Sequence, residues 1–161
     1  MRTLTLALFA LLVVPRLAAA DPAACYYLDE LGLPTRPWQD SGDGEYLCRS
    51  NVARLGEAPS AGLFYTASGD AGGRVKALEL DLTVFVEAEA QAARLAVLPH
   101  IRALMLGLRL PDDPQSTKRA EAMGRALHDG RSGRWILGGA TFSLAQTALK
   151  RGRRLILTIR P

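Results

Sequence analysis

One stretch of regular alternation constrains the fold more than any other feature of this chain. In the stretch from Arg74 to Val86, apolar side chains occupy every second position from Leu78 onward, and charged or hydroxyl-bearing side chains lie between most of them. The apolar set is Leu78, Leu80, Leu82, Val84 and Val86; the polar set is Glu79, Asp81 and Thr83. A period of two is typical of a strand that is buried on one face and wetter on the other. The chain is therefore expected to build a sheet that is covered on one side.

Shorter runs before and after this strand predict the rest of the sheet. Before it, residues 35–44 are expected to form a loop with a turn at 41–44, residues 51–61 to be irregular and residues 69–73 to turn. After it, Lys150-Arg151-Gly152 is expected to turn a hairpin. The other predicted strands are Glu45 to Arg49, Leu63 to Ser68, Arg134 to Leu137, Thr141 to Leu149 and Arg153 to Ile159.

The remaining segments have helical signals. A short helix is predicted from Asp21 to Leu31, where Gly32 and Pro34 stop it. Residues 87–108 predict a longer helix, which Pro99 should kink or divide, and which Pro111 ends. Residues 113–130 predict a third helix, capped by Asp113, with Pro114 in its first turn and Gly130 at its end. The expected buried faces are Leu95, Leu98, Ile101, Met105 and Leu108 in the second helix, and Ala120, Met123 and Leu127 in the third.

The order of these elements predicts the fold class. It reads roughly α-βββ-αα-βββ, and runs of strands followed by runs of helices are typical of α+β proteins. We expect an antiparallel sheet with helices packed on one face, formed by a single domain over residues 21–161. No internal repeat or low-complexity tract interrupts that range.

The first 20 residues predict a signal peptide. Arg2 supplies a positive start, residues 4–14 are apolar, and residues 18–20 are alanines that signal peptidase accepts. A membrane anchor would need roughly 20 uninterrupted apolar residues, and Pro15-Arg16 breaks the run. We therefore expect cleavage after Ala20 and a periplasmic or secreted protein that keeps no transmembrane segment.

The two cysteines, Cys25 and Cys48, predict a disulfide. An exported chain with two cysteines favours a disulfide over free thiols. A structural zinc site takes about four Cys or His ligands, and the only histidines, His100 and His128, are distant in sequence. A redox pair usually has two residues between its cysteines. We expect a structural bond and no metal or cofactor.

Charge is divided unevenly along the chain. Residues 21–90 carry 5 basic and 12 acidic side chains, whereas residues 91–161 carry 13 basic and 4 acidic ones. Such asymmetry favours a dipolar molecule or an interaction surface, unless the two halves interleave and neutralise each other.

No catalytic motif is present in the sequence. It lacks a Gly-x-Ser-x-Gly nucleophile elbow and a phosphate-binding Gly-rich loop followed by Lys-Ser or Lys-Thr. His100 and His128 are interpreted as structural. Carboxylates between the cysteines leave open a small hydrolase that uses a facing pair, although a solvated acidic loop has the same composition: Asp29, Glu30, Asp40, Asp43 and Glu45.

Clustered cations give the candidate binding residues. Guanidinium groups suit phosphate and carboxylate partners, although a charged hairpin that only keeps the chain soluble would look the same. We take as candidates Lys150, Arg151, Arg153, Arg154 and Arg134, with Trp38 in its loop as either a contact anchor or a core residue and Trp135 as a core residue.

The resulting expectation is a small binding protein. We expect an exported protein of a bacterial-type envelope that contacts another protein, as an accessory, inhibitory or immunity-type factor, and no enzyme. The alternatives are the hydrolase with loop carboxylates and an electrostatic binder of anionic glycan or lipid. Nucleic acid is not an expected partner, and the sequence predicts no oligomeric state.

Overall fold

The computed structural model describes residues 21–56, 58–110 and 113–161. The predicted signal peptide and the predicted helix end at Pro111 lie outside these residues. The fold itself is the expected α+β arrangement, with one antiparallel sheet, helices and a Cys25–Cys48 disulfide.

Eight strands form the sheet. They are β1 (Gln39–Asp40), β2 (Tyr46–Arg49), β3 (Ala53–Leu55), β4 (Ala58–Gly69), β5 (Val75–Val84), β6 (Gly133–Leu137), β7 (Ala140–Ala148) and β8 (Arg153–Arg160). The order across the sheet is β1-β2-β4-β5-β8-β7-β6, and β3 also pairs with β4. Every pairing is antiparallel. The two long central strands, β5 and β8, therefore join the two halves of the chain.

The register places the predicted apolar alternation of β5 on the core face. Leu80 lies opposite Tyr65 on β4 and opposite Leu157 on β8. Leu157 in turn lies opposite Leu144 on β7. All four side chains are buried. A continuous apolar layer thus crosses the middle of the sheet, and burial of such area is the main stabilising contribution to a core.

Three helices cover this layer: α1 (Ala90–Ala96), α2 (Leu98–Gly107) and α3 (Pro114–His128). Pro99 divides the long helical segment, as predicted, because a proline fits the first turn of α2 and not a helix interior. Asp113 caps α3, as predicted, and accepts hydrogen bonds from the backbone N–H groups of Gln115 and Ser116. The hydrogen bond from the Ser116 hydroxyl, together with these backbone bonds, lowers the pKa of the Asp113 carboxyl.

Four local predictions were wrong. Residues 51–61 are not irregular but form β3 and the start of β4, where small residues pair across the sheet without bulky strand formers. The loop at 35–44 contains β1, which pairs with β2. The first helix is two short 3₁₀ turns, Ala23–Tyr26 and Asp29–Leu31. Leu95 is 47% exposed, because the division of the helix gives α1 its own buried face.

The disulfide fixes the N-terminal segment to the sheet. Cys25 lies in the first 3₁₀ turn and Cys48 in β2, with 5.8 Å between their Cα atoms, and both are fully buried. The Tyr65 hydroxyl donates a hydrogen bond of 2.7 Å to the Ala24 carbonyl. Burial raises the pKa of the Tyr65 phenol, so this donor keeps its proton. The segment before β1 is thereby held against the core from two sides.

Candidate functional site

The turn between β7 and β8 lies at one end of the sheet. We call it the basic turn, because it carries Lys150 and Arg151 and is followed directly by Arg153 and Arg154. The Leu149 N–H donates to the Gly152 carbonyl, which closes the predicted hairpin turn. A Cβ at Gly152 would lie 1.8 Å from the Val84 carbonyl oxygen, and its φ is +92°, so the position requires glycine. The turn is therefore packed tightly against the end of β5.

Two of the four predicted cations of this turn are used inside the fold. Arg153 pairs with Glu87 across 3.0 Å, and both groups are exposed. Arg154 donates from Nε to the Oδ2 of Asp81 at 2.8 Å, with a second bond from its Nη2. That pairing raises the pKa of the Arg154 guanidinium. Lys150 and Arg151 are exposed, and within the described residues they form no ion pair.

The remaining predicted binding residues lie away from this turn along the chain and the sheet. Arg134 is exposed on β6, the strand at the edge of the sheet. Trp38 is half-buried; its backbone N–H donates to the Asp21 carboxylate, and its indole N–H donates to the Asp70 carbonyl. Trp135 is also half-buried and packs against the core. Trp38 thus holds its own loop in place.

The groups weighed for catalysis are spread over different elements. The five carboxylates between the cysteines are all exposed; Asp29 and Glu30 lie in the second 3₁₀ turn, whereas the other three lie in or beside the β1–β2 hairpin. His100 is buried in α2, and this burial lowers the pKa of its imidazole. His128 is exposed at the end of α3. Within the described residues, no group of three His, Cys, Asp or Glu side chains could hold a metal ion.

A groove lies between α2 and α3. One cavity of about 350 Å³ opens between the helices, and a second of about 300 Å³ continues from it. Met105, Thr117 and Ala120 line both, so the two form one groove. The other apolar lining residues are Leu98, Ile101, Leu106, Leu110, Met123, Leu127 and Leu137. Ile101, Met123 and Leu127 belong to the buried core, so side chains of the core form the floor of the groove.

Gly124 marks empty space in this groove. A Cβ added at Gly124 would meet no atom within 4 Å. Glycine in a helix interior costs about 1 kcal/mol relative to alanine, and the packing of α3 gives no steric reason for it. The position leaves room for an atom from outside the fold to approach the helix backbone.

The helices around the groove are basic. The three α-helices together contain five basic residues, Arg94, Arg102, Lys118, Arg119 and Arg125, and one acidic residue, Glu121. Arg119 donates to the Ile136 carbonyl, and Arg125 lies 3.9 Å from Glu121. Arg102 lines the groove from α2 and Glu121 lines it from α3, so the two charges at the groove itself balance. The apolar floor favours an apolar occupant, and the basic excess on the surrounding helices favours acidic residues at the edge of that occupant.

Helix α2 forms a ridge between this groove and a second depression. Leu106, on α2, is 78% exposed, the highest value among the exposed large apolar residues of the described chain. On its far side, a depression of about 560 Å³ is lined by Arg102 and Leu106 together with Tyr26, Tyr27, Asp29, Glu30, Leu31, Pro99 and Ala103. We call Arg102, Met105 and Leu106 the α2 ridge. Apolar surface therefore continues over the ridge from one depression to the other.

Sequence reasoning missed the groove, although one signal was present. The stripe predicted for residues 87–108 accounts for one buried face. Yet α2 also carries Ala103, Leu104 and Leu106, so its apolar residues extend around more than one face. A helix that is apolar beyond the width of one stripe needs cover on a second side. The sequence indicates this excess, whereas the gap to α3 depends on the tertiary packing.

Within the residues that the structure describes, none of the helices has the length and apolar character that a membrane crossing requires. No protein family model, no curated protein and no solved structure matches this chain.

Proposed function

We propose that this protein is a small exported binding module of a bacterial-type cell envelope, and that it holds an apolar, acidic segment of another protein in the groove between α2 and α3. The observation that carries the proposal is the apolar groove with Gly124 open at its side and the α2 ridge beside it. Contiguous exposed apolar surface of this kind is typical of interaction sites.

The partner is proposed to be a protein because of the breadth of the surface. A cavity of about 350 Å³ falls in the range of small-molecule sites. However, the apolar surface does not end at the cavity: Leu106 stands on the ridge, and the depression beyond it reaches Tyr26 and Leu31. A small molecule in the groove would leave this ridge uncovered, whereas a protein segment would cover the groove and the ridge together.

The bound segment is proposed to be an amphipathic helix. The walls of the groove are two helices, whose backbone hydrogen bonds are made internally, and the edge strand β6 contributes the buried side chain of Leu137 at one end. Contact with the helical walls therefore depends on side chains. Helix-in-groove recognition uses apolar anchors spaced by three or four residues. The excess of basic residues on the three helices favours acidic residues on the rest of that helix.

The experiment that tests this is site-specific photo-cross-linking in the cells that make the protein. A photoreactive residue replaces Leu106 on the ridge; in a control it replaces Thr147, which is exposed on β7. We expect a discrete protein adduct from position 106 and none from position 147. A failure to form any protein adduct from position 106 would contradict the proposal.

Two further variants, Gly124→Leu and Arg102→Glu, each with a control elsewhere on the surface, decide whether the groove makes the contact. Gly124→Leu places a side chain into the empty space and should abolish the adduct from position 106, whereas Thr147→Leu, an added apolar side chain on β7, should not. Arg102→Glu should weaken the adduct because it repels an acidic segment, and Arg151→Glu should leave it unchanged. An adduct that persists in Gly124→Leu would exclude the groove as the site.

A further inference from the structure

A second surface of different character lies at the end of the sheet where β5 stops and β7 turns into β8. Nine large apolar side chains are exposed among the described residues. Three of them lie at this end: Phe85, Val86 and Leu149. Two exposed cations, Lys150 and Arg151, lie in the same turn. We call these five residues the hairpin end.

The pairing of the strands brings the five residues together. Arg153, the first residue of β8, lies opposite Val84 on one side and opposite Ala148 on the other. The end of β5, the end of β7 and the start of β8 are therefore at the same end of three adjacent strands. The residues that follow Val84 and those that follow Ala148 leave the sheet there. The close approach of Gly152 to Val84 and Phe85 fixes the turn against this end.

The charge of the hairpin end is positive after internal pairing. Glu87 is paired with Arg153. Glu89 keeps its negative charge, and its carboxylate is held toward β4 by hydrogen bonds from the backbone N–H and the hydroxyl of Ser60. Lys150 and Arg151 remain without an ion-pair partner in the described part of the chain. If the turn served only to keep the protein soluble, the two cations alone would be enough. Three exposed apolar side chains lower solubility, so they point to a binding role.

From this combination we infer that the hairpin end binds an anionic membrane surface. Phe85, Val86 and Leu149 enter the head-group region, while Lys150 and Arg151 contact the lipid phosphates. Apolar side chains beside lysine and arginine are the composition of peripheral membrane contacts. Each cation near an anionic bilayer surface contributes about 1 kcal/mol. The contact does not involve the groove between α2 and α3, so it stands independently of the proposed function.

The test uses oxidised protein from residue 21 onward and lipid vesicles, measured by co-sedimentation. The vesicles are phosphatidylcholine alone, or phosphatidylcholine mixed with phosphatidylglycerol in equal parts. We expect binding to the mixed vesicles that weakens as salt is added, since salt screens exposed charges. No binding to the mixed vesicles at low salt would overturn the inference.

Variants separate the contributions of charge and apolar contact. Lys150→Gln/Arg151→Gln should weaken binding to the mixed vesicles about 25-fold, or about fivefold for each charge removed. Phe85→Ser/Leu149→Ser should weaken it at unchanged charge. The matched controls are Lys118→Gln/Arg125→Gln on α3, and Ile136→Ser on β6, where Ile136 has the same 53% exposure as Phe85. Equal losses in variants and controls would overturn the inference.

Competition with a soluble polyanion distinguishes binding to a lipid surface from binding to any anionic polymer. If the two cations bind any polyanion, dextran sulfate should compete fully and Phe85→Ser/Leu149→Ser should have no effect; that result would also overturn the lipid inference.

A second readout, indole fluorescence, does not depend on sedimentation. Phe85→Trp should show a blue-shifted indole emission on mixed vesicles, and Ile136→Trp should not; absence of a shift at position 85 would contradict insertion.

Discussion

At the scale of single residues, Asp81 shows how a charge can be buried on the sheet face that carries no helix. It lies opposite Phe64 on one side and Ile156 on the other, and no part of it is exposed. Arg49 lies over the Phe64 ring, 5.7 Å from its centroid. The guanidinium of Arg154 covers the carboxylate from outside, while Oδ1 of Asp81 has no hydrogen-bond partner in the described residues. The charge of Asp81 is therefore compensated by one residue.

This arrangement predicts different costs for two neighbouring arginines. Arg154→Met should lower the free energy of unfolding by about 2–3 kcal/mol, because it leaves the buried Asp81 carboxylate without its partner. Arg153→Met should lower it by at most about 1 kcal/mol, because the Arg153–Glu87 pair is exposed. Urea unfolding of the two variants measures the difference.

A double variant distinguishes the lost partner from lost packing. Asp81→Leu/Arg154→Leu removes both charges, and its free energy of unfolding should return to within about 1 kcal/mol of the wild-type value. If it stays as unstable as Arg154→Met, the buried carboxylate is not the cause.

At the scale of elements, the sequence predicts what local signals determine. The alternation in β5, the division of the helix at Pro99 and the cap at Asp113 all depend on residues that are close in sequence, and all three are present in the structure. β1, β3 and the start of β4 pair with strands that are near in the chain, but their sequences are short or rich in small residues and so give weak strand signals. The groove has a non-local origin, because it is the gap between two packed helices.

Two helical glycines should respond to alanine in opposite directions. Gly124→Ala should raise the free energy of unfolding by about 1 kcal/mol, because it gains helix propensity and its Cβ meets no atom. Gly107→Ala should lower the free energy of unfolding, because its Cβ would lie 2.7 Å from the Tyr27 ring. Urea unfolding measures both, and equal effects would contradict the open groove at Gly124.

At the scale of the whole molecule, the sheet keeps the two halves of the chain side by side. Strands β1 to β5 come from the acidic half and β6 to β8 from the basic half, and they meet where β5 pairs with β8. Both the Arg154–Asp81 and the Arg153–Glu87 pairs join the two halves. Opposite charges of the two halves therefore pair at this boundary, while the acidic β1–β2 hairpin lies at one edge of the sheet and Arg134 lies on the strand at the other.

The disulfide should stabilise this molecule without being essential for its fold. Cys25 and Cys48 are 23 residues apart, and closing a loop of that length contributes about 3 kcal/mol in the chain-entropy model. A typical domain has about 5–15 kcal/mol of stability, and neither the central strands β4, β5 and β8 nor the three α-helices contain a cysteine. The reduced protein should therefore stay folded, with its free energy of unfolding lowered by about 3 kcal/mol.

Urea unfolding of the oxidised and the reduced protein measures this loss of stability, with Cys25→Ala/Cys48→Ala as a control that cannot form the disulfide. A reduced protein that lost its far-UV circular dichroism would show instead that the segment before β1 is required for the core, whereas an unchanged free energy would show that its packing alone holds it in place.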